Sequence, residues 1–282
     1  LETDRQILWV TYYRNLYNAT HPSEINSPVS LSRNLLAWNQ PGTNGLILPV
    51  NPSASFLSIL FANELWFTLG DMTMAEHCAM LSMIFSPRNS GSRMIKRLAE
   101  INLVNGDDEA ALKYLRILDK TLLHKSWAEK RIPGQQTPRV KEWLEKKRRD
   151  IPTQDQLRSG NDAVTSLQNL VASNAGNLRA YEYLLCYHLL SKDLRSFVED
   201  YVPGKVSSPI FAEALLIHLA RQGNIRAEEL IKYQIPVEIA KEFADYTRIY
   251  EAKDTSLKEK YGKTYWFYYH FATTEPGKES KP

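Results

Sequence analysis

The chain has 282 residues, 43% of them hydrophobic and 24% charged, with a net charge of +3 at pH 7. Such proportions exclude long disorder, and so small a net charge lacks the basic footprint of a nucleic-acid binder. No apolar run reaches the roughly 18 residues of a membrane span, and two cysteines, Cys78 and Cys186, make no disulfide framework.

Residues 1–54 form an irregular N-terminal helical segment. Apolar spacing at Ile7, Leu8, Tyr12 and Leu16 predicts a helix from Asp4 to Tyr17, and a second is expected from Ser30 to Trp38. Pro41, Gly42, Gly45, Pro49 and Pro52 then punctuate a long loop. Trp38, at its edge, is a candidate ring for stacking on a sugar or a peptide, or equally for plugging the N-terminal edge of the solenoid.

Helical periodicity starts in the stretch 55–125, which reads as two hairpins. Each is a helix, a Gly-Asp turn and another helix, and the turn glycines Gly70 and Gly106 lie 36 residues apart. Self-similarity near this period marks stacked helix pairs. The pattern resembles the tetratricopeptide repeat, a unit of about 34 residues. Trp66, Gly70, Ala75 and Pro87 fall on its signature positions in the first hairpin, and Leu98, Ala99, Gly106 and Ala111 in the second. Asn63 departs from the small residue expected at its place, and Leu123 replaces the closing proline. Thr73 and Asp108 are candidate N-caps.

Residues 126–162 interrupt the repeat with a loop at Pro133, Gly134 and Pro138 and a charged helix, VKEWLEKKRRD. Its basic run, Lys146 to Arg149, is interleaved with acids and reads as a solvated helix face. Residues 163–272 hold two further hairpins, turning at Ser191-Lys192-Asp193 and Gly223-Asn224, then capping helices over Pro236–Tyr250 and Thr255–Phe271. The seven rings between Tyr261 and Phe271 are read as a cap over the last hairpin. Residues 273–282 form a polar tail. No period-2 alternation is sustained, so the expected fold is all-α, a right-handed α-solenoid of tetratricopeptide-like hairpins.

A second resemblance rests on RLAEINLVNGDDEAALKYLRILDKTLLHKSWAEK, WLEKKRRDIP, AYEYLLCYHLLSKDL, TYWFYYHFA and the loop NQPGTNGL. These stretches resemble a family of uncharacterised bacterial membrane-anchored proteins with a tetratricopeptide-like C-terminal domain. The resemblance implies transmembrane helices upstream of Leu1, a domain in the cell envelope outside the cytoplasm, and no chemistry.

Catalytic and metal motifs are absent from the sequence: it has no CxxC, HExxH, GxSxG, GxGxxG or phosphate loop. His77-Cys78 and Cys186 with His188 match no zinc spacing, and both cysteines are expected as buried thiols. Glu64, Glu76, Glu100 and Glu109 are the acids an enzyme would have to converge in a groove. The expected role is a non-catalytic scaffold without a cofactor that binds a protein or peptide, not nucleic acid. Groove residues assigned from repeat position are Asn63, Trp66, Arg97, Asn102, Tyr181 and Tyr187. An envelope glycan-binding protein and a cryptic enzyme are the alternatives.

Overall fold

The structure is a computed structural model, and it describes residue 63 and residues 66–85, 92–153 and 163–271. The expected helices before Ser53, the loop with Trp38, Glu64, Pro87 and the tail lie outside the described residues. Every regular element among the described residues is a helix. Helical residues 66–69 precede α1 (Met72–Phe85), α2 (Ser92–Asn105), α3 (Asp108–Asp119), α4 (Lys125–Glu129), α5 (Pro138–Arg148) and α6 (Ala163–Ser173). Then come α7 (Leu178–Leu190), α8 (Leu194–Asp200), α9 (Pro209–Arg221), α10 (Ala227–Lys232), α11 (Val237–Glu251), α12 (Leu257–Tyr261) and α13 (Tyr265–Phe271). None is long and apolar enough to cross a membrane. The described residues divide into two compact units, one ending at Ala180 and the other beginning at Tyr181.

Four helix-to-helix turns share one construction. A residue with positive φ ends the first helix, and the next residue sends its N–H five residues back to a helix carbonyl. This bond runs from Asp71 to Trp66, from Asp107 to Asn102, from Asp193 to His188 and from Asn224 to Leu219, at 2.9 Å in each case. It is the Schellman closure, which satisfies a carbonyl the helix leaves orphaned. At the first three turns the same aspartate then caps the following helix. Asp71 accepts the N–H of Met74, Asp107 that of Ala110 and Asp193 that of Ser196, at 2.9 to 3.0 Å. The cap therefore lies one residue before the expected Asp108 and two before Thr73. The aspartate beside the left-handed residue closes one helix with its backbone N–H and opens the next with its carboxylate.

In the first unit, α2 packs against α1, α3 and α5. Met94 and Leu98 meet Ala79 of α1, and Ala99 meets Leu115 and Leu118 of α3 with Ala128 of α4. Alanines at these contacts let the helices approach closely. Three consecutive carbonyls at the end of segment 66–69 are closed by side chains from far along the chain. Lys147 donates to Phe67 O (3.3 Å), Arg179 to Thr68 O (3.4 Å) and Asn177 to Leu69 O (2.8 Å). Arg148 does the same for α2, donating to Leu103 O (2.8 Å) and Val104 O (3.0 Å). The basic run is thus not simply a solvated face, because two of its four members cap helix C-termini, where positive charge meets the helix dipole.

In the second unit, α9 packs against α8, α11 and α13. The rings of Phe197 and Phe211 meet at 5.8 Å, and Phe243, Tyr246 and Trp266 pack within 5.3 to 6.2 Å of one another. The aromatic C-terminal segment caps this unit. Tyr265 and Trp266 are fully buried, Tyr265 Oη donates to Leu189 O, and Tyr268 Oη donates to Leu190 O, both at 2.8 Å. The single helix expected over Thr255–Phe271 is two, parted at residues 262–264. Glu213 explains where the second begins. Its side chain accepts the N–H of Tyr265 at 2.5 Å, and its backbone carbonyl accepts the indole N–H of Trp266 at 3.0 Å. Burial pushes the Glu213 carboxyl up to about 7, opposed by the Tyr265 N–H and aided by Glu242. Helix α10 buries none of its residues, and Ile231 stands 76% exposed.

Gly70 has φ +91°, and a Cβ there would sit 2.2 Å from Asp150 O, whereas Gly106, at φ +82°, has open space. Gly70→Ala should therefore destabilise well beyond the roughly 1–2 kcal/mol of a left-handed alanine, and Gly106→Ala by about that amount alone. Denaturant unfolding of both variants checks the ordering, and equal losses would refute the close approach. Glu213 supplies a second prediction. A carboxyl raised in the fold adds stability while both states are protonated and loses it as pH climbs from its unfolded value through about 7. Wild type should lose on the order of 2–3 kcal/mol relative to Glu213→Gln between pH 4.5 and pH 8, as read by chemical denaturation.

Candidate functional site

Three helices of the first unit each contribute a polar or aromatic series at helical spacing. α2 gives Lys96, Arg97 and Glu100, and α5 gives Arg139, Trp143 and Lys147. α4 and the turn after it give Trp127 and Arg131. Most of these side chains are neither buried nor fully exposed. They meet around two rings. The Arg97 guanidinium lies 3.7 Å from the centre of the Phe67 ring and pairs with Glu100 at 3.3 Å. The Lys147 ammonium lies 4.5 Å from the same ring, and Trp143 stacks on it at 6.3 Å. Trp127 carries Arg131 at 4.0 Å and Lys96 at 4.7 Å. Cations over aromatic faces are favoured most where water is partly excluded.

The electrostatics of this face are unbalanced. Burial pushes Lys147 down to about 8, with Arg179 and Arg97 adding to the effect and Asp150 and Glu100 opposing it. Arg131 is lowered first by burial, then by Arg139, against the pull of Glu100. Glu100 pairs with Arg97 and also acts electrostatically on Arg131 and Lys147. Arg131 donates through Nη1 to Trp127 O at 3.2 Å, while its buried Nε finds no acceptor among the described residues. A perturbed lysine held among half-buried rings is a mark of functional surfaces, and this cluster is the strongest such place among the described residues.

The residues expected to line a groove are not brought to one open surface. Asn63 is buried, donating to Ala75 O at 2.5 Å, and Trp66 is 2% exposed. Asn102 turns its amide onto Leu98 O of its own helix at 2.7 Å. Tyr181 is buried, donating to Asp200 O and accepting the N–H of Val202. Arg97 belongs to the cationic face, and Tyr187 is half-buried in the other unit. Asn63, Asn102 and Tyr181 are polar because each satisfies a backbone group inside the core, which repeat position does not reveal. The face's missed members, Trp127, Arg131, Trp143 and Lys147, lie in the insertion read as a loop and charged helix. Their only sequence signal is the recurrence of Trp and a cation at four-residue spacing.

The other candidate chemistry disperses. Both cysteines are free and buried, and burial pushes Cys78 up to about 12 and Cys186 well above the usual thiol range. His77 is exposed rather than set in an apolar face. His188 is buried and bonded to Asp200 at 2.8 Å. No group of three or more His, Cys, Asp or Glu able to hold a metal occurs among the described residues. Glu109 pairs with Lys113 at the surface and Glu100 with Arg97, each on its own helix.

A lysine held below its ordinary range weakens the fold while it must carry charge, and that cost disappears as pH passes from about 8 toward its unfolded value. Between pH 7 and pH 10 wild type should gain on the order of 2–3 kcal/mol relative to Lys147→Met. Denaturation at the two pH values measures the gain, and a constant difference would mean that Lys147 is not desolvated.

No curated protein and no solved structure matches the chain. The model of one family, described as "Family of unknown function (DUF6057)", matches residues 30–272, most of the chain, and the protein belongs to that family.

Proposed function

We propose that the protein is a non-catalytic helical scaffold that binds a protein or peptide partner. The observation that carries this reading is the partly exposed face of Lys96, Arg97, Trp127, Arg131, Trp143 and Lys147, which joins rings and cations in one place. Aromatic and arginine side chains are the groups that anchor protein interfaces most strongly. The repeated hairpin turn supports a solenoid of tetratricopeptide-like pairs, in which the first helix of a pair lines the binding surface. The second resemblance in the sequence adds a bacterial envelope setting and a membrane anchor upstream.

The turn between α3 and α4 is a second surface, with Leu122 97% and Leu123 85% exposed. Ordered leucines this open are also a mark of contact surfaces. A photo-crosslinking residue placed at Arg139 or at Leu123 in the full-length protein, irradiated in native envelopes, separates the two. A partner captured from Arg139, and lost when Trp143→Ala is added to a folded variant, supports the cationic face. Capture from Leu123 alone would move the site to the leucine turn, and capture from neither would overturn the scaffold reading.

A further inference from the structure

Deepening that reading, we infer that the cationic face of the first unit takes an acidic polypeptide segment, whose carboxylates pair with its arginines and lysines while its chain lies across Trp127 and Trp143. The inference rests on the assignment of this face as the binding site.

Six cations gather here, Lys96, Arg97, Arg131, Arg139, Lys147 and Arg179, and among the described residues the carboxylates that act on Lys147 and Arg131 are Glu100 and Asp150. Water compensates an excess of this kind at an open surface. Here it is only partly available, because the side chains of Arg97 and Glu100 are 11% and 17% exposed. Like charges held close at low solvent exposure are costly, and an incoming anion offsets that cost by its attraction to each of them. Arg131 Nε, buried without an acceptor among the described residues, points the same way.

Several observations favour carboxylates on a peptide over a long phosphate polymer. Arg97 already pairs with a carboxylate, so the face accommodates that geometry. The whole chain carries only +3, and a basic track along a polyanion requires a larger excess. The two tryptophans offer apolar area that a peptide backbone and its methylenes cover well.

The test is a fluorescence-anisotropy titration of the protein with a fluorescein-labelled peptide of glutamate and glycine, against a glutamine–glycine control. Lys96→Gln with Arg139→Gln is the diagnostic variant, since neither residue caps a helix end, and circular dichroism verifies its fold. The expected result is binding of the glutamate peptide alone, weakened by salt, and at least about tenfold weaker in the double variant. Equal binding of the glutamine peptide, or an unchanged affinity in the folded variant, would overturn the inference. So would an oligonucleotide or polyphosphate that displaces the peptide at lower concentration than the free peptide does. Should the glutamate peptide fail to bind while Arg139 still crosslinks a partner, the acidic ligand is wrong and the scaffold reading stands.

Discussion

An α-helix ends with carbonyls that no residue of the helix can satisfy, and a protein built from short helices meets this problem at every turn. Here it is solved in two ways. Local closure comes from a left-handed residue followed by a backbone bond and an aspartate cap, repeated at Asp71, Asp107 and Asp193. Distant closure comes from side-chain donors. Lys147, Arg148, Asn177 and Arg179 reach the ends of segment 66–69 and α2, and Tyr265 and Tyr268 reach the end of α7. Each such bond joins elements far apart in sequence, so satisfying the helix ends also sets which helices neighbour one another.

Asn177 illustrates the economy of the arrangement. Its amide donates to Leu69 O and to Asp150 O, while its oxygen accepts the N–H of Ala180 at the start of α7. The carbonyl of Asp150 can approach this closely only because Gly70 has no Cβ. One glycine and one buried asparagine thus join three segments of the first unit. Loss of the Asn177 amide leaves buried backbone groups without partners, which costs more than the bonds themselves contribute.

Cations recruited to close helix ends also give the first unit its surface. Lys147 lies close to the Phe67 ring because it must reach Phe67 O, and that position places it beside Arg97 and Arg179. The cost is a lysine held near neutrality in its proton affinity and a carboxylate, Glu100, shared among several positive neighbours. A face assembled this way is preorganised, because its side chains are already held by packing and backbone bonds. The second unit shows the complementary solution, in which tyrosine hydroxyls instead of cations satisfy the carbonyls, and the result is an aromatic cap with Tyr261, Tyr265 and Trp266 buried.

The all-helical character, the hairpin turns and the interrupting charged helix follow from local chemistry: apolar spacing, Gly-Asp pairs and proline breaks act within a few residues, and the sequence alone determines them. Which rings of the aromatic run are covered was decided by packing: Tyr261, Tyr265 and Trp266 are buried, and Phe267, Tyr268, Tyr269 and Phe271 stay partly exposed. The break at residues 262–264 needed a partner 52 residues earlier, because Glu213 receives the first N–H of the final helix. The candidate face was likewise decided only by tertiary structure. Asn63, Trp66, Asn102 and Tyr181 carry the residue types of a binding groove, yet the fold buries them to satisfy backbone groups or to fill the core. Trp127, Arg131, Trp143 and Lys147 lie in a segment with no repeat signature, and packing against α2 assembles them into one surface. Burial and charge proximity are properties of the packed chain, so only the packed chain distinguishes a core asparagine from a surface one, and a solvated lysine from one that caps a helix.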